Sequence, residues 1–475
     1  MCIRDRKTAA ANFFNQVIDP QRTEAVTSIS VIPYNHTTVV PDTMLSRMNT
    51  SGQIAIPPAQ VATYSATGNT IPGALTQYPR TAAGSKCARF TDAQMLVTDL
   101  EANLSPDQNP NYLAMRSISD TTPLDMMAYY DPDDKSSGAG GSYDRPGDVG
   151  NRRCDPTRAA ILPLETNITT LTNYVNALQT GGWTAVDHGL KWGVALLDPA
   201  MRPVITSMVN TTSPQLLPDT VAGRPLDYDP AASLKVLVLM TDGANTRQYD
   251  MKSEFKNGPS RIWYSEEASN EQGPNNEDWS NLHIVDNGEG TGHTRGDGIS
   301  DREKEWYDGY YVLMNEGSSS EYWMRPHWPG DRDDGAQYTI SELPTDAVQL
   351  EYTELYDRFS ERALAELFRD DNYGDLNARN EHRSAEEQVE DGTSANRRMN
   401  GDTTTNGMCD VAKVNNDMLV FTIAFQAGST AETVMRECAS GVNGSGYYFN
   451  AQNSTALQNA FSAIAGQITK LRLTQ

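Results

Sequence analysis

Apolar residues recur along this chain with two periods, one typical of helices and one typical of strands. Spacings of three and four residues predict amphipathic helices, at 7–18, 168–178, 187–197, 430–438 and 454–468. Continuous apolar runs predict buried parallel strands at 235–240 and 418–425, and a shorter strand at 446–450 follows them. Because helices alternate with buried parallel strands, we expect an α/β fold with a doubly wound, mostly parallel sheet.

Other segments predict a strand pair, one helix and two irregular insertions. Alternating apolar and polar residues predict a strand at 26–35, with TTVV at 37–40 as its hairpin partner. The segment 350–368 predicts an amphipathic helix that packs through four side chains, Leu355, Phe359, Leu364 and Phe368. The rest of 45–156 and 247–408 shows little periodicity, which indicates two long irregular insertions, although the aromatic residues of the second argue against complete disorder.

Acidic residues dominate the charge of the chain. Its 475 residues include 38 Lys and Arg against 62 Asp and Glu, a formal net charge of −24. This charge excludes a nucleic-acid binder that works through a general basic field, so we expect no nucleic-acid partner. The acidity is concentrated between 247 and 408, where 16 basic residues stand against 35 acidic ones, while the other positions hold 22 against 27. The remaining scaffold is therefore expected to be nearly neutral.

No apolar run approaches the roughly 20 residues that a helix needs to cross a bilayer. The start, MCIRDR, lacks the apolar stretch and the cleavage site of a signal peptide. We therefore expect residues 1–6 to be a non-native start, and we set Cys2 aside.

Four other cysteines are scattered along the chain, at Cys87, Cys154, Cys409 and Cys438. They show neither CxxC nor Cys/His spacing, so a zinc site is disfavoured. An even number of scattered cysteines is typical of two disulfides in an oxidising compartment. Four buried free thiols of a cytosolic protein are the alternative.

Two oxygen-bearing side chains lie where a doubly wound sheet binds its ligands, at the carboxyl ends of its strands. Asp242 follows the strand at 235–240, and Thr184 lies in the turn before a predicted helix. A hydroxyl and a carboxylate on neighbouring loops suit a hard divalent cation such as Mg²⁺. Two local roles are the alternatives: Thr184 as the cap of the following helix, and Asp242 as an acceptor for turn amides.

The segments GGWTAVDHGLKWG and LKVLVLMTDGANT, which contain these two residues, resemble the von Willebrand factor A domain and its metal-ion-dependent adhesion site. Five further segments resemble, in order, the TadG-like family of the tight-adherence (Flp) pilus-assembly system. They are SISVIPYNHTTVV, AILPLETN, MCDVAKVNNDMLVFTIAF, MRECAS with YYFNA, and AFSAIAGQITKLRL. The resemblance covers less than half of the chain.

The resemblance implies one Rossmann-like von Willebrand A-type domain over 7–475, interrupted by insertions at 45–156 and 247–408. Its core segments would be 7–44, 157–246 and 409–475. In the family, a first central strand with an Asp-x-Ser-x-Ser loop precedes the helix that corresponds to 7–18. No such strand precedes residue 7, so the chain is expected to be N-terminally truncated.

For the site, the resemblance implies Mg²⁺ or another divalent cation held by Thr184 and Asp242. Without the Asp-x-Ser-x-Ser loop the site is incomplete, and metal binding is expected to be weak or absent in this fragment. The resemblance and the positions of the cysteines also suggest disulfides between Cys409 and Cys438 and between Cys87 and Cys154.

For function, the resemblance implies a non-enzymatic protein of the bacterial cell envelope, on the periplasmic or extracellular side. Its partner would be another pilus-assembly component or a surface ligand, bound through the cation. The full-length protein would be anchored to the inner membrane through an N-terminal segment missing here. Two alternatives are a free-standing extracellular adhesin or matrix-binding module, and a secreted hydrolase that uses carboxylates of the acidic insertion.

Two other groups of side chains are weaker candidate sites. Asp187 and His188 follow Thr184 and could suggest a catalytic pair, but neighbouring residues of a helix point in different directions. Asp131, Asp133 and Asp134 form a loose carboxylate cluster that could bind Ca²⁺, although it lacks the EF-hand spacing and a solvated loop is the simpler interpretation. No nucleophile or paired-carboxylate motif is evident, so we expect no enzyme.

Overall fold

A computed structural model of the chain describes part of the 475 residues. The described residues are 3–18, 26–48, 50–52, 87–90, 124–127, 154, 159–179, 183–229, 231–256, 258–265, 310–324, 337–356, 364–365, 367–368, 376–402, 407–415 and 418–474. The carboxylate cluster at Asp131, Asp133 and Asp134 lies outside them, as does Phe359.

Helices occur throughout the described chain. In chain order they are α1 (Ile3–Val17), α2 (Asp42–Leu45), α3 (Ile168–Ala177), α4 (Val186–Ala195), α5 (Arg202–Val209), α6 (Tyr352–Tyr356), α7 (Leu376–Arg383), α8 (Gly392–Asn400), α9 (Met408–Asp410), α10 (Ser429–Cys438) and α11 (Ser454–Thr474). The strands are β1 (Ile29–Val31), β2 (Thr50–Gly52), β3 (Ala88–Arg89), β4 (Leu124–Met126), β5 (Leu162–Glu165), β6 (Val236–Thr241), β7 (Gln248–Met251), β8 (Pro259–Tyr264), β9 (Tyr310–Met314), β10 (Tyr322–Met324), β11 (Gln337–Tyr338), β12 (Val348–Glu351), β13 (Glu386–Glu390), β14 (Leu419–Phe425) and β15 (Tyr448–Ala451).

The scaffold is mixed α/β and is built on a three-stranded parallel sheet in the order β15–β14–β6. β6 pairs in register with β14 from Val236 opposite Leu419 to Thr241 opposite Ala424. The two long apolar runs are therefore parallel neighbours, as their sequences predict. β6 alternates between buried and half-buried residues and is not buried throughout, because it lies at the edge of this sheet.

Helices cover both faces of β6. Leu237 and Leu239 point to one face and pack in a cluster with α4 residues such as Leu190 and Val194. Val236 and Val238 point to the other face, where α1 and α11 supply phenylalanine and aliphatic side chains. This alternation is the normal consequence of a strand with a helix on each side.

β1 forms a second, two-stranded sheet with β5, and this pairing corrects one expectation. The predicted hairpin between 26–35 and 37–40 is wrong, because β1 pairs antiparallel with β5, far along the chain. Val39 instead forms an isolated bridge with Cys87, and its carbonyl accepts the N–H of Ile161. The apolar side chains of 37–40 are thus buried beside distant segments.

The acidic segment is regular where the structure describes it, so the expectation of an irregular insertion is wrong there. It contains a five-stranded antiparallel sheet in the order β11–β10–β9–β8–β12. One face of that sheet packs in a core with Leu355, Leu364 and Phe368, three of the four side chains expected to pack from 350–368. Leu350 and Glu351, the first residues of the helix predicted there, belong to β12, and α6 begins at Tyr352; residues 357–363 and 366 lie outside the described residues. A smaller sheet pairs β13 with β7.

Two disulfides join the cysteines in the pairs that the resemblance suggested. Cys87 and Cys154 have Cα atoms 5.8 Å apart, and Cys409 and Cys438 have Cα atoms 5.0 Å apart. All four side chains are fully buried. The alternative of four free thiols is therefore excluded in this structure.

Within the described ranges, no helix combines the length and the apolar character that a membrane span requires. α1 begins at Ile3, before the predicted start at residue 7.

Candidate functional site

The loop after β6 and the loop before α4 are joined by hydrogen bonds between Thr246 and the backbone of Thr184. The N–H of Thr184 donates to the Thr246 hydroxyl at 2.9 Å, and the N–H of Thr246 donates to the Thr184 carbonyl at 2.9 Å. The Thr246 hydroxyl also donates to that carbonyl, at 3.1 Å. These bonds fix the loop of Thr184 against the loop of Asp242, as the rule for strand ends predicts.

The first local alternative for Thr184 fails, because Thr184 does not cap α4. The N-cap residue is Ala185, which has no side chain able to accept a hydrogen bond. Asn245 takes that role from the opposite loop: its Oδ1 accepts the N–H of Val186 at 2.6 Å. The Asn245 amide then donates to Oδ1 of Asn396 in α8, at 2.9 Å. The hydroxyl of Thr184 is therefore not required for starting the helix.

The turn after β6 likewise has another residue for the role considered for Asp242. The hydroxyl of Thr241 accepts the N–H of Gly243 at 3.2 Å and donates to the Gly243 carbonyl at 2.8 Å. Asp242 is exposed at this point. A Cβ added to Gly243 would lie 3.4 Å from the Thr184 hydroxyl oxygen. The Thr184 hydroxyl thus lies beside the residue that follows Asp242.

A hydroxyl and a carboxylate on adjoining loops fit a divalent cation in part. Among the described residues there is no group of three or more His, Cys, Asp and Glu side chains that could hold a metal ion. Mg²⁺ is commonly held by only one or two protein carboxylates and keeps several waters. Thr184 and Asp242 would therefore supply two oxygens of a weak, mostly hydrated site.

Tyr34 connects this end of β6 to the segment after β1. Its hydroxyl donates to the Met240 carbonyl at 2.7 Å, and its ring lies so close to α4 that a Cβ at Gly189 would overlap it. Burial raises the pKa of Tyr34 well above its usual range, and the nearby charge of Asp242 adds to that rise. Only glycine at this position of α4 lets the helix approach the tyrosine ring.

Asp187 and His188 are both buried, and each contacts other residues. The Asp187 carboxylate lies 3.7 Å from the Arg398 guanidinium and accepts a 3.3 Å hydrogen bond from Gln248. Burial lowers the pKa of His188 to about 4, although Asp187 opposes the change. At neutral pH the imidazole is uncharged, and it lies against the ring of Phe90. Both residues tie α4 to its surroundings.

Lys191 is a fully buried lysine one turn further along α4. Its Nζ lies 5.2 Å from the centroid of the Phe90 ring. Burial lowers the pKa of Lys191 to about 7, and the charge of Asp198 opposes that decrease. Within the described chain its Nζ has no hydrogen-bond partner. The charged form of Lys191 is therefore buried at a cost.

A cavity of about 690 Å³ separates β1 from β6. Its walls include Ile29 to Tyr34 on one side and Ser233 to Asp242 on the other. At one end the cavity reaches Thr184 and Asp242, and at the other it reaches Arg224 and Lys235. The candidate site therefore opens into the gap between the two sheets.

The sequence identified Thr184 and Asp242, and the structure brings their loops together. It did not identify Asn245 or Arg398. Asn245 is a residue type that favours helix caps, but it caps a helix that precedes it in the chain. A cap is normally sought just before a helix, so only the folded chain reveals this one. Arg398 was hidden because its partner Asp187 lies in a distant segment.

Comparisons with known proteins add no identification. No protein-family model matches the chain, no curated protein is similar to it, and no solved structure matches it.

Proposed function

We propose that this chain is a non-enzymatic partner-binding protein of the bacterial cell envelope. In this proposal the scaffold is a doubly wound von Willebrand A-type domain, and the protein is a TadG-like component of Flp pilus assembly. The partner binds at the carboxyl end of β6, where a divalent cation lies between Thr184 and Asp242 and an acidic group of the partner.

One observation carries the proposal: the loops of Thr184 and Asp242 meet at the carboxyl end of β6, where the Thr184 hydroxyl lies beside Gly243. A hydroxyl and an exposed carboxylate therefore lie where parallel sheets bind their ligands. Their oxygen chemistry selects a hard cation.

The cation would supply positive charge at a surface that otherwise carries a carboxylate. With that charge in place, a carboxylate of a partner protein becomes a favourable neighbour of Asp242. The chain itself fixes the geometry, because the backbone N–H and hydroxyl of Thr246 bond to the backbone of Thr184 and hold the two loops together. With only two protein oxygens the cation affinity is expected to be weak, with a Kd of about 1 mM.

The two buried disulfides support the proposed location. Disulfides persist in the periplasm and outside the cell, and they are rare in a reducing cytosol. Cys409 and Cys438 join the segment before β14 to α10, next to the parallel sheet.

A calorimetric titration with Mg²⁺ tests the proposal. Wild-type chain should bind weakly, and Asp242→Asn should reduce the affinity at least about tenfold, because one of two protein oxygens loses its charge. Asp219→Asn removes one charge from another exposed aspartate and is the matched control; it should bind as wild type does. Equal affinities for wild type and Asp242→Asn would remove the cation from the proposal.

A free-standing adhesin is the second candidate, and the acidic segment favours it. That segment has its own five-stranded sheet and its own core, so it can present a rigid surface. Its net negative charge suits a cationic or calcium-rich surface. Genes for a pilin, a secretion ATPase and a prepilin peptidase beside the gene for this chain would support pilus assembly, and their absence would support the adhesin.

A further inference from the structure

The helix α8 belongs to the acidic segment, but it packs against the loops of the candidate site. Its first turn is fixed by Asp391, whose carboxylate accepts the N–H of Ser394 at 2.8 Å as a helix cap. Its buried residues are Ala395, Arg398 and Met399. The helix therefore begins at a defined position and turns one side towards the scaffold.

Three residues on one stripe of α8 contact Asn245, which follows Asp242 by three positions. Gly392, Asn396 and Met399 are spaced by four and three residues, so they lie on the same side of the helix. Oδ1 of Asn396 accepts a hydrogen bond from Nδ2 of Asn245 at 2.9 Å, and the Met399 sulfur lies 3.3 Å from the same nitrogen. A Cβ added to Gly392 would lie 2.3 Å from the Asn245 carbonyl oxygen, so glycine is required for this close approach.

The orientation of the Asn245 amide depends on α8. The N–H of Val186 is a donor, so the atom that faces it is Oδ1 of Asn245, and Nδ2 must then face α8. Without an acceptor in α8, this amide group would lose the contact that holds Oδ1 in place. Asn396 therefore acts through Asn245 on the start of α4 and on the loop that carries Asp242.

A buried ion pair gives α8 a second contact, with the first turn of α4. Nη1 of Arg398 lies 3.7 Å from the Asp187 carboxylate, and both side chains are buried. Asp187 also accepts a hydrogen bond from Gln248, the first residue of β7, which pairs with β13 of the acidic segment. The acidic segment therefore holds both the loop after β6 and the start of α4, which follows Thr184.

We propose that α8 is the positioning element of the candidate site, with Asn396 and Gly392 as its positioning residues. Through them the acidic segment controls how well Thr184 and Asp242 are placed to bind the cation. Because the cation and α8 act on the same loops, cation binding and the packing of α8 stabilise each other. This control of cation binding rests on the proposed function, whereas the positioning of the loops does not.

Amide hydrogen exchange in EDTA tests the positioning without any cation. In the 475-residue chain, Asn396→Ala should speed the exchange of the Val186 amide at least about threefold, because its cap loses its fixed orientation. Asn396→Asp keeps an acceptor oxygen and should restore the wild-type rate. Thr393→Ala changes an exposed residue of the same helix and is the control, with no effect expected.

The amide of Val194 separates positioning from a general loss of stability. Val194 lies near the other end of α4, so its exchange should be unchanged in Asn396→Ala. Circular dichroism establishes that the variant folds. Equal acceleration at Val186 and Val194, or none at Val186, would overturn the proposal.

A glycine variant tests the close approach of α8 and keeps every hydrogen-bonding side chain. Gly392→Ala places a Cβ against the Asn245 carbonyl, so α8 must move away, and the Val186 amide should again exchange faster than in wild type. Gly466→Ala in α11 is the matched control, because a Cβ there has no atom of the described chain within 4 Å. Wild-type exchange of Val186 in folded Gly392→Ala would contradict positioning by α8.

Calorimetric titration with Mg²⁺ tests the control of cation binding. Asn396→Ala should bind Mg²⁺ at least about threefold more weakly than wild type, and Asn396→Asp should bind at least as tightly as wild type. Equal affinities for wild type and Asn396→Ala would overturn control of the site by α8. Absence of Mg²⁺ binding by wild type would instead remove the cation from the proposed function, and the exchange rates in EDTA would still decide whether α8 positions the loops.

Discussion

At the scale of single residues, the start of α4 depends on a side chain from another loop. Asn245 accepts the N–H of Val186, so Asn245→Ala should lower the free energy of unfolding by about 1–2 kcal/mol, as the loss of a helix cap does. Thr184→Val should cost less than about 0.5 kcal/mol, because Thr184 makes its hydrogen bonds through its backbone. Chemical denaturation measures both values. A larger loss for Thr184→Val than for Asn245→Ala would restore Thr184 as the cap.

Lys191 should make stability depend on pH above neutrality. Burial lowers its pKa to about 7 in the folded chain, against a usual value of 10.5. Below pH 7 the folded and unfolded chains both carry the proton, so the full cost of the buried charge is present. Between pH 7 and 10.5 the unfolded chain binds more protons, and stability therefore rises with pH.

Replacing this lysine by an apolar residue of similar length removes that cost. Lys191→Met should raise the free energy of unfolding by about 1–3 kcal/mol at pH 6.5, and the gain should shrink as the pH rises towards 10. Lys470→Met changes an exposed lysine of α11 and is the control, with little effect at either pH. Urea denaturation at several pH values measures the difference. A gain that is independent of pH would show that Lys191 titrates normally.

At the scale of secondary-structure elements, a disulfide holds the segment before β14 against α10. Cys409 and Cys438 are 29 residues apart in sequence and both are buried. Replacing both by alanine should lower the free energy of unfolding by about 2–4 kcal/mol, since the unfolded chain gains the freedom of an open loop. Reducing conditions should destabilise the wild type more than the double variant, because only the wild type has this disulfide to lose. A loss below about 0.5 kcal/mol would show that the bond adds little to the fold.

Periodicity located elements whose packing is local or strongly apolar. The helix at 168–178 and the strands at 235–240 and 418–425 all appear close to their predicted bounds. The sequence could not supply the pairing of β1, since adjacency favoured 37–40 whereas β5 lies beyond a long insertion. The helix predicted at 350–368 is wrong at its start for a similar reason, because Leu350 belongs to β12, which pairs with the distant β8.

In the candidate site too, local patterns were predictable and contacts between distant segments were not. The rule for strand ends predicts, from the sequence alone, that Thr184 and Asp242 lie on neighbouring loops. Asn245 and Arg398 depend on contacts between distant segments, and no spacing along the chain indicates them. Side chains that position a site from a distance are therefore what a single sequence reveals least.

At the scale of the whole molecule, the candidate site and the acidic segment lie in different sheets. The cavity runs along β6 to the loop of Asp242, while the acidic segment forms a separate sheet with its own core. The scaffold is nearly neutral, and the acidic segment carries most of the charge. The acidic segment can therefore attract cations at long range, while the site at the end of β6 determines which partner binds.

The most direct test of the proposed cation site is paramagnetic broadening by Mn²⁺, which replaces Mg²⁺ at oxygen sites and reports position. In isotope-labelled chain, we expect Mn²⁺ to broaden the amide resonances of Gly243 and Ala185 first, with Gly466 in α11 unaffected at the same concentration. Excess Mg²⁺ should reverse the broadening, and Asp242→Asn should abolish it. Broadening confined to the acidic segment, or unchanged in Asp242→Asn, would contradict a cation site at the end of β6.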